Sequence, residues 1–212
     1  CHELELNISK TKQSKNLAIV GAGPAGLASA ITAAERGHKV TLFEAKDKIG
    51  GQFNLAREIP GKEEFDETLR YYKRQLDRLG VYVQLDTRVT ITQLNNSDFD
   101  EIILATGVVP RVPVIEGIDH PTVVNYTDVI NGVIEIGERV AIIGAGGIGF
   151  DVAEFLSHSG HPTSLNIPAF MQEWGIDMDL QARGGIEGVE PKFTPSPRTI
   201  FLCQRKTEGL GK

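Results

Sequence analysis

The sequence predicts an α/β protein built on parallel strands, and two observations lead to that fold class. Residues 15–44 and 138–156 share one pattern, in which an apolar strand runs into G-x-G-x-x-G and then into a helix. In the first copy a second strand follows the helix and ends at an acidic residue. This order is typical of a Rossmann-like, doubly wound domain. We expect that domain to be followed by a truncated second Rossmann-like unit.

The elements of the first copy follow from short apolar runs that glycine and proline interrupt. Residues 16–20 and 39–43 predict buried parallel strands. Residues 24–36 predict the helix between them, with Pro24 in its first turn and Gly37 just beyond its end. Further along, residues 62–79 predict an amphipathic helix, and residues 81–85 and 100–104 predict two more strands.

The domain boundary is expected within residues 108–137, where Pro110, Pro113 and Gly117 indicate an extended crossover. Inside it, residues 122–125 are expected as a strand and 127–131 as a short helix. The second unit is predicted from a strand at 139–143, a helix at 147–158 and a strand at 199–204. The segment 159–198 is too long for a helix–strand joint and predicts an insertion. Trp174 is expected to pack this insertion down rather than to contact a cofactor.

Composition excludes several classes of function. The net charge of −6 and the lack of a basic run argue against nucleic acid as a partner. The only cysteines are Cys1 and Cys203, which excludes a C-x-x-C dithiol and a disulfide framework. No apolar run approaches the roughly 20 residues of a membrane span, and nothing in the sequence resembles a signal peptide, so we expect a cytoplasmic protein without membrane contact. None of the five histidines has metal-ligand spacing, so no metal site is predicted.

The first glycine loop has the residues that a diphosphate site needs. Gly21 permits the tight turn, Gly23 lets a diphosphate approach the backbone, and Gly26 lets helix and strand pack closely. Glu44 stands where its carboxylate can accept both hydroxyls of an adenosine ribose. The alternative is an ordinary solvated glutamate at a strand end.

The second glycine loop, residues 144–149, differs from the first in the residues beyond its second strand. Arg205 and Lys206 stand there in place of an acid. Basic groups suit the 2′-phosphate of NADPH, whereas an acid favours NADH. The alternative is two solvated cations. Gly50-Gly51-Gln52 and Ala105-Thr106-Gly107 are weak signals by themselves, because glycine turns are common.

Taken in order, these motifs resemble the flavoproteins with two dinucleotide-binding domains. The pattern is G-A-G-P-A-G, then Glu44, G-G-Q, A-T-G-x-x-P-R and a second G-x-G-x-x-G, over residues 16–158. The segments GGQFNLAREIPGKEEFDETLRYYKRQL, IDHPTVVNYTDVI, AIIGAGGIGFD, TSLNIPAFMQEWGID and QRKTEGLGK resemble the C-terminal half of bacterial NADPH-dependent 2,4-dienoyl-CoA reductases, a family of fatty acid β-oxidation.

The resemblance implies three parts: a linker remnant at 1–15, an FAD-binding domain at 16–135 and an incomplete NADPH-binding domain at 136–212. The FAD site would comprise Gly21, Gly23, Pro24, Ala25, Gly26, Glu44, Ala45, Gly50, Gly51, Gln52, Val89 (through its backbone), Ala105, Thr106 and Gly107. The NADPH site would comprise Gly144, Gly146, Gly147, Ile148 and Gly149, with Arg205 and Lys206 on the 2′-phosphate.

The resemblance also implies hydride transfer from NADPH to FAD, with no side chain needed as acid or base. In the parent enzyme, electrons would then pass through a 4Fe-4S cluster to FMN in an N-terminal barrel. Because the chain starts at Cys1 and carries neither barrel nor cluster cysteines, we expect an excised fragment. Two alternatives stay open: a flavin-free NAD(P)-dependent dehydrogenase domain, and a truncated nucleotide-binding scaffold without activity. An unpaired edge strand near Phe201 would favour a homodimer.

Overall fold

The chain forms two compact units in the computed structural model, which describes residues 5, 7–160, 162–205 and 207. The first unit extends to Ala56 and resumes at Glu64–Glu116. The second unit consists of Arg57–Glu63 and of the chain from Gly117 onward. The segment Arg57–Glu63, the strap, therefore leaves the first unit, joins the second and returns.

A four-stranded parallel sheet forms the centre of the first unit, in the order β3–β2–β1–β4. Its strands are β1 (Asn16–Val20), β2 (Lys39–Phe43), β3 (Tyr82–Gln84) and β4 (Glu101–Leu104). The central strand β1 pairs with both neighbours, so that Val20 lies opposite Phe43 on one side and Leu104 on the other. The carboxyl ends of all four strands share one edge, where open parallel sheets bind ligands. The predicted α/β class is confirmed.

Two helices, α1 (Pro24–Glu35) and α3 (Phe65–Leu79), supply apolar side chains to one face of this sheet. Gly37 and Gly80 follow these helices with φ of +91° and +67°, as residues that end helices in the left-handed region do. The core between helices and strands consists of Leu17, Ile19, Ala22, Leu27, Ala30, Ile31, Ala33, Val40, Leu42 and Leu76. Burial of these side chains holds α1 against β1, which sets the position of the loop that joins them.

A smaller cluster covers the other face of the sheet. Ala18, Phe43 and Leu94 are buried there, and the rings of Phe43 and Phe99 meet edge to face at 6.0 Å. Leu94 belongs to the short helix α4 (Ile91–Asn95). The residue before α4, Thr90, exchanges side-chain and backbone hydrogen bonds with Gln93, which stabilises the helix start. A one-turn helix, α2 (Phe53–Ala56), lies between β2 and α3 along the chain.

The second unit repeats the strand–helix–strand order. β5 (Arg139–Ile143) and β6 (Thr199–Cys203) pair in parallel, and α6 (Gly147–Ser157) runs between them along the chain with Val152 and Leu156 buried. The guanidinium of Arg198 donates to the carbonyl of Leu156 at 3.2 Å, which satisfies one free carbonyl at the end of α6. A short helix, α5 (Tyr126–Ile130), precedes β5.

The predicted insertion between α6 and β6 contains one helix, α7 (Ile167–Glu173), and two short 3-10 turns, Thr163–Leu165 and Arg183–Gly185. The indole of Trp174 lies 6.0 Å from the ring of Phe170 and 5.9 Å from that of Phe193, so it packs within the insertion. More than half of its surface, 53%, is nevertheless exposed.

One predicted element is absent, and a second is present but starts later than predicted. No strand forms at 122–125, because residues 117–123 fold into turns: His120 N–H donates to Gly117 and Val123 N–H donates to His120. The helix predicted from residue 62 begins at Phe65, because Lys62 N–H closes a turn onto Ile59. None of the helices in the described ranges is both long and apolar enough to cross a membrane.

Candidate dinucleotide-binding sites

The first glycine loop makes a sharp turn from β1 into α1. Gly21 has a φ of +102°, in the left-handed region that favours glycine, and its N–H donates to Phe43 at 2.8 Å. A Cβ at Gly26 would overlap the carbonyl oxygen of Gly21, so only glycine allows the helix to start this close to the strand. The geometry of the turn therefore agrees with the roles predicted for Gly21 in the turn and for Gly26 in helix–strand packing.

The start of α1 presents backbone amides without a side-chain cap. Gly23 is the N-cap residue, in extended conformation, and Pro24 is the first helical residue. The first N–H groups of a helix have no partner inside it, and together with the helix dipole they attract an anion. A Cβ at Gly23 would have a single neighbour within 4 Å, the Cα of Gly51 at 3.9 Å. A diphosphate can therefore approach the backbone at Gly23, beside exposed Ala25.

Glu44 is held against the first glycine loop. One carboxylate oxygen accepts the N–H of Ala22 at 2.8 Å, and the other accepts the N–H of Lys46 at 3.0 Å. The backbone of Glu44 continues the sheet, since its N–H donates to Gln84. The carboxylate thus lies at the carboxyl edge of the sheet next to the loop, with exposed Ala45 beside it.

The two weak motifs of the sequence converge on the same loop. Gly50 N–H donates to the carbonyl of Ala22 at 2.8 Å, and a Cβ at Gly51 would lie 2.8 Å from the Cα of Gly23. Ala105 also lies beside the loop, since its N–H donates to Val20 at 2.8 Å and a Cβ at Gly21 would overlap its carbonyl oxygen. The G-G and A-T-G motifs therefore pack against the first glycine loop, a structural role that their composition alone did not show.

The remaining predicted residues of this unit have more varied surroundings. Gln52 and Thr106 are exposed, and Gly107 has a φ of +71° with open space where a Cβ would stand. Val89 packs its side chain against the cluster on the second face of the sheet. Its predicted contact with adenine, which would use the backbone alone, stays a prediction.

The second glycine loop reproduces the geometry of the first. Gly144 has a φ of +121° and its N–H donates to Cys203 at 2.9 Å, as Gly21 does to Phe43. A Cβ at Gly149 would overlap the carbonyl of Gly144. Gly146 is the N-cap of α6, again extended and without a side-chain cap. The two loops thus have equivalent geometry, one in each unit.

The approach to the second loop is more open than that to the first. A Cβ at Gly146 or Gly147 would have no neighbour within 4 Å, and the side chain of Ile148 is 55% exposed. Arg205 lies exposed shortly after the end of β6. Lys206, its predicted partner in phosphate binding, lies outside the described residues.

Comparison with known proteins identifies the fold and its chemistry. Residues 15–173 match the family model described as pyridine nucleotide-disulphide oxidoreductase. The chain belongs to this family. Pyridine nucleotide-disulphide oxidoreductases of this kind are flavin-dependent enzymes that bind FAD and NAD(P)H, in agreement with two glycine loops of equivalent geometry on one chain.

Three similar proteins illustrate the range of the family. The chain is 34% identical to an NADH oxidase of Thermoanaerobacter brockii over 91% of its length, and 36% identical to a cinnamate reductase of Clostridium sporogenes over 77%. A solved complex of 2-naphthoyl-CoA reductase with 2-naphthoyl-CoA superposes on 93% of the chain with a TM-score of 0.70 and 28% identity. The chain spans 30%, 24% and 34% of these three proteins, respectively.

Despite the family name, the sequence contains no C-x-x-C pair of the kind that forms a redox-active disulfide. Cys1 and Cys203 are its only cysteines, and the thiol of Cys203 is free and exposed. Within the described part of the chain, no three His, Cys, Asp or Glu side chains are grouped so that they could hold a metal ion.

Sequence reasoning missed two contacts of the strap. The ammonium of Lys62 lies 2.6 Å from the carboxylate of Asp151 on α6, and Glu63 accepts the hydroxyl hydrogen of Ser164 at 2.9 Å. The partners are 89 and 101 residues apart, and neither pair has a local motif. No signal within a single sequence would have found them.

Proposed function

We propose that this chain is the FAD- and NADPH-binding module of a 2,4-dienoyl-CoA reductase-like enzyme, in which hydride passes from NADPH to FAD. The observation that carries the proposal is the equivalence of the two glycine loops. Each presents the free amides of a helix N-terminus at the carboxyl edge of a parallel strand. FAD, when bound, supplies the electron-accepting chemistry, and the residues of the chain supply position and charge.

The first loop is assigned to FAD because it has a ribose partner. The carboxylate of Glu44 accepts the N–H of Ala22. The hydroxyls of a bound adenosine ribose would replace this backbone N–H as hydrogen-bond donors to the carboxylate. Gly51 lies close to Gly23, because a Cβ at Gly51 would be 2.8 Å from the Cα of Gly23. A carboxylate at this place repels a 2′-phosphate, which FAD lacks.

The second loop is assigned to NADPH because a basic residue, Arg205, stands after its second strand. An acidic residue at that position would favour NADH. Arginine can bind a 2′-phosphate with two parallel hydrogen bonds. One relative is named as an NADH oxidase, so the choice between the two nicotinamide nucleotides varies among similar proteins. In this chain the basic residue supports NADPH.

The parent reaction is proposed from the named relatives. Cinnamate and 2-naphthoyl-CoA both carry unsaturated carbon conjugated to a carbonyl, as a dienoyl-CoA does. The chain has two cysteines, whereas a 4Fe-4S cluster takes four thiolates. In the parent enzyme, the cluster and an FMN barrel would therefore be carried by other segments.

Anaerobic titration tests the proposal. The purified chain is loaded with FAD, and flavin absorbance is followed as NADPH or NADH is added, in the wild type and in Arg205→Leu. We expect NADPH to bleach the flavin at lower concentration than NADH, and Arg205→Leu to lose that preference by about tenfold, the effect of one charge-assisted phosphate contact.

Each other outcome has a defined meaning. Failure to bind FAD, with NADPH binding retained, would indicate a flavin-free dehydrogenase domain. Failure to bind either nucleotide would indicate an inert scaffold. Equal bleaching by both nucleotides would contradict the role of Arg205 and leave the hydride transfer intact.

A further inference from the structure

The chain contains a bulge just beyond the end of β3, at Leu85–Thr87, which we call the β3 bulge. Glu44 N–H donates to the carbonyl of Gln84 at 2.8 Å, which continues the pairing of β2 with β3 past their ends. In a regular parallel pair, the amide two residues after that acceptor, which is Asp86, would donate back to Glu44. The amide of Thr87 does so instead, at 2.8 Å, so the chain holds one extra residue here.

Backbone conformation and one side chain stabilise the extra residue. Asp86 has a φ of +50°, in the left-handed region that Asp and Asn enter more readily than most residues. The hydroxyl of Thr87 donates to the carbonyl of Leu85 at 2.8 Å and closes the bulge. Beyond the bulge, the side chain of Val89 packs against the cluster that contains buried Leu94. The β3 bulge is therefore an ordered bend that is anchored on both sides.

The bulge leaves the amide of Asp86 available for a second contact. Its N–H donates to the carbonyl of Lys46 at 2.9 Å, so the bulge holds the carbonyls of both Glu44 and Lys46. The N–H of Lys46 in turn donates to the carboxylate of Glu44 at 3.0 Å. Lys46 is thus fixed by Asp86 and itself fixes the carboxylate. A continuous series of hydrogen bonds connects the bulge with the side chain at the first glycine loop.

The direction of the Glu44 carboxylate decides what it can bind. One of its oxygens accepts the N–H of Ala22 in the first glycine loop, and the other accepts that of Lys46. Because both donors are backbone groups, these two segments impose the direction of the carboxylate. Its two oxygens lie in one plane and can accept two neighbouring ribose hydroxyls only if that plane is correctly turned. Bulges beside functional sites re-aim side chains in this way.

We infer that the β3 bulge is a positioning element of the first nucleotide site, which sets the direction of the Glu44 carboxylate for the adenosine ribose of FAD. The inference rests on the proposed function, in which FAD binds at the first loop. Asp86 and Thr87 are positioning residues, because they act on Glu44 and Lys46 through their backbone amides. A residue that accepts the left-handed conformation at position 86 is then required for recognition of the ribose.

The test compares FAD with its 2′-deoxyadenosine analogue, which lacks one of the two ribose hydroxyls. The affinity of the full chain for each is measured by flavin fluorescence, and the ratio of the two dissociation constants reports the contribution of that hydroxyl. Asp86→Val places a β-branched residue at a φ of +50°, which disfavours the bulge. Asp86→Gly and Asp86→Asn keep the left-handed conformation accessible. Circular dichroism establishes that each variant is folded.

Leu180→Val is the matched control. Among the described residues other than glycine, Leu180 also has a φ in the left-handed region, at +57°, and it lies in the insertion of the second unit. Valine there imposes the same backbone conflict away from the first loop. Thr87→Ala removes only the hydroxyl that closes the bulge, and it decides the question if Asp86→Val does not fold. Glu44→Ala defines the ratio in the absence of the carboxylate.

We expect the wild type to bind FAD about tenfold more tightly than the analogue, the effect of one hydrogen bond to a charged group. Asp86→Gly, Asp86→Asn and Leu180→Val should keep this ratio. The ratio should fall to about one in Asp86→Val, as in Glu44→Ala, and to an intermediate value in Thr87→Ala. In the Glu44→Ala background, Asp86→Val should have no further effect on the ratio. A merely structural role of the bulge would weaken both ligands by the same factor and leave the ratio unchanged.

Three results would overturn the inference. The first is a wild type that binds FAD and the analogue equally. The second is a wild-type ratio that persists in Asp86→Val, or in Thr87→Ala if Asp86→Val does not fold. The third is loss of the ratio in Asp86→Gly, since the bend would then not be what positions the carboxylate. In each case the proposed function survives, because FAD still binds. A wild-type chain that binds neither FAD nor the analogue would overturn the inference and the proposed function together.

Discussion

Gly23 and Gly26 lie three residues apart, and the structure gives them different reasons to lack a side chain. At Gly26 a methyl group would overlap the carbonyl of Gly21, so the fold itself requires glycine. At Gly23 the backbone is extended, with φ of −75°, and a methyl group would make an ordinary contact with Gly51. The fold tolerates alanine there, and only an incoming diphosphate would not.

Gly23→Ala should therefore separate binding from stability. We expect the melting temperature to stay the same or rise slightly, because alanine reduces the entropy of the unfolded chain. FAD affinity should fall at least tenfold, since the new Cβ occupies the path of the diphosphate. Calorimetry with FAD and a thermal melt measure the two effects. A variant that keeps its FAD affinity would show that the diphosphate does not approach at Gly23.

At the scale of elements, the insertion contains a turn organised by one carboxylate. Asp177 accepts three backbone hydrogen bonds, from Asp179 at 2.9 Å and from Gln181 and Ala182 at 2.7 Å. The hydrogen bond from Ala182 is the largest of the effects that lower the pKa of Asp177, followed by that from Asp179. The folded turn therefore favours the ionised carboxylate, and its contribution is present above the unfolded pKa and lost as pH falls through the lowered one.

Asp177→Asn should loosen this turn without unfolding either unit. The amide has one acceptor oxygen and cannot serve three donors arranged for two carboxylate oxygens. We expect faster hydrogen exchange at the amides of Asp179, Gln181 and Ala182, and a similar increase in the wild type as the turn is acidified through the lowered pKa, after correction for intrinsic exchange. Asp179→Asn is the control, because Asp179 contributes its backbone to the turn. Unchanged exchange in Asp177→Asn would contradict the role of the carboxylate.

The elements that sequence could predict are those whose cause is local. The strand at β1, the loop at Gly21 and the helix α1 depend on apolar runs and on glycines a few residues apart, and their order is confirmed. The strand expected at 122–125 has the right composition but no partner strand, and pairing is a property of the whole chain. The strap contacts of Lys62 and Glu63 were invisible for the same reason, since their partners lie about a hundred residues away.

At the scale of the whole molecule, the chain contains the same glycine loop between a strand and a helix twice, once in each compact unit. The two glycine loops share their turn, their hydrogen bond to the neighbouring strand and their glycine N-cap. Each can therefore be disabled by the same chemical change at an equivalent position. Gly23→Ala and Gly146→Ala are such a pair, because at each glycine N-cap a methyl group would meet no protein atom closer than 3.9 Å and would stand where a diphosphate must approach.

These two variants should separate the two nucleotides by unit. A ligand at a hundred times its dissociation constant stabilises the state that binds it by about 2.7 kcal/mol. We expect FAD to slow hydrogen exchange in β1, α1 and β2 of the wild type and of Gly146→Ala, but not of Gly23→Ala. NADP⁺ should slow exchange in β5, α6 and the strap of the wild type and of Gly23→Ala, but not of Gly146→Ala. Protection of the strap by NADP⁺ is a sharp test, because the strap lies in the first half of the sequence and yet belongs to the second unit. If NADP⁺ protected β1 and α1 and left β5, α6 and Arg57–Glu63 unchanged, the assignment of NADPH to the second loop would have to be abandoned.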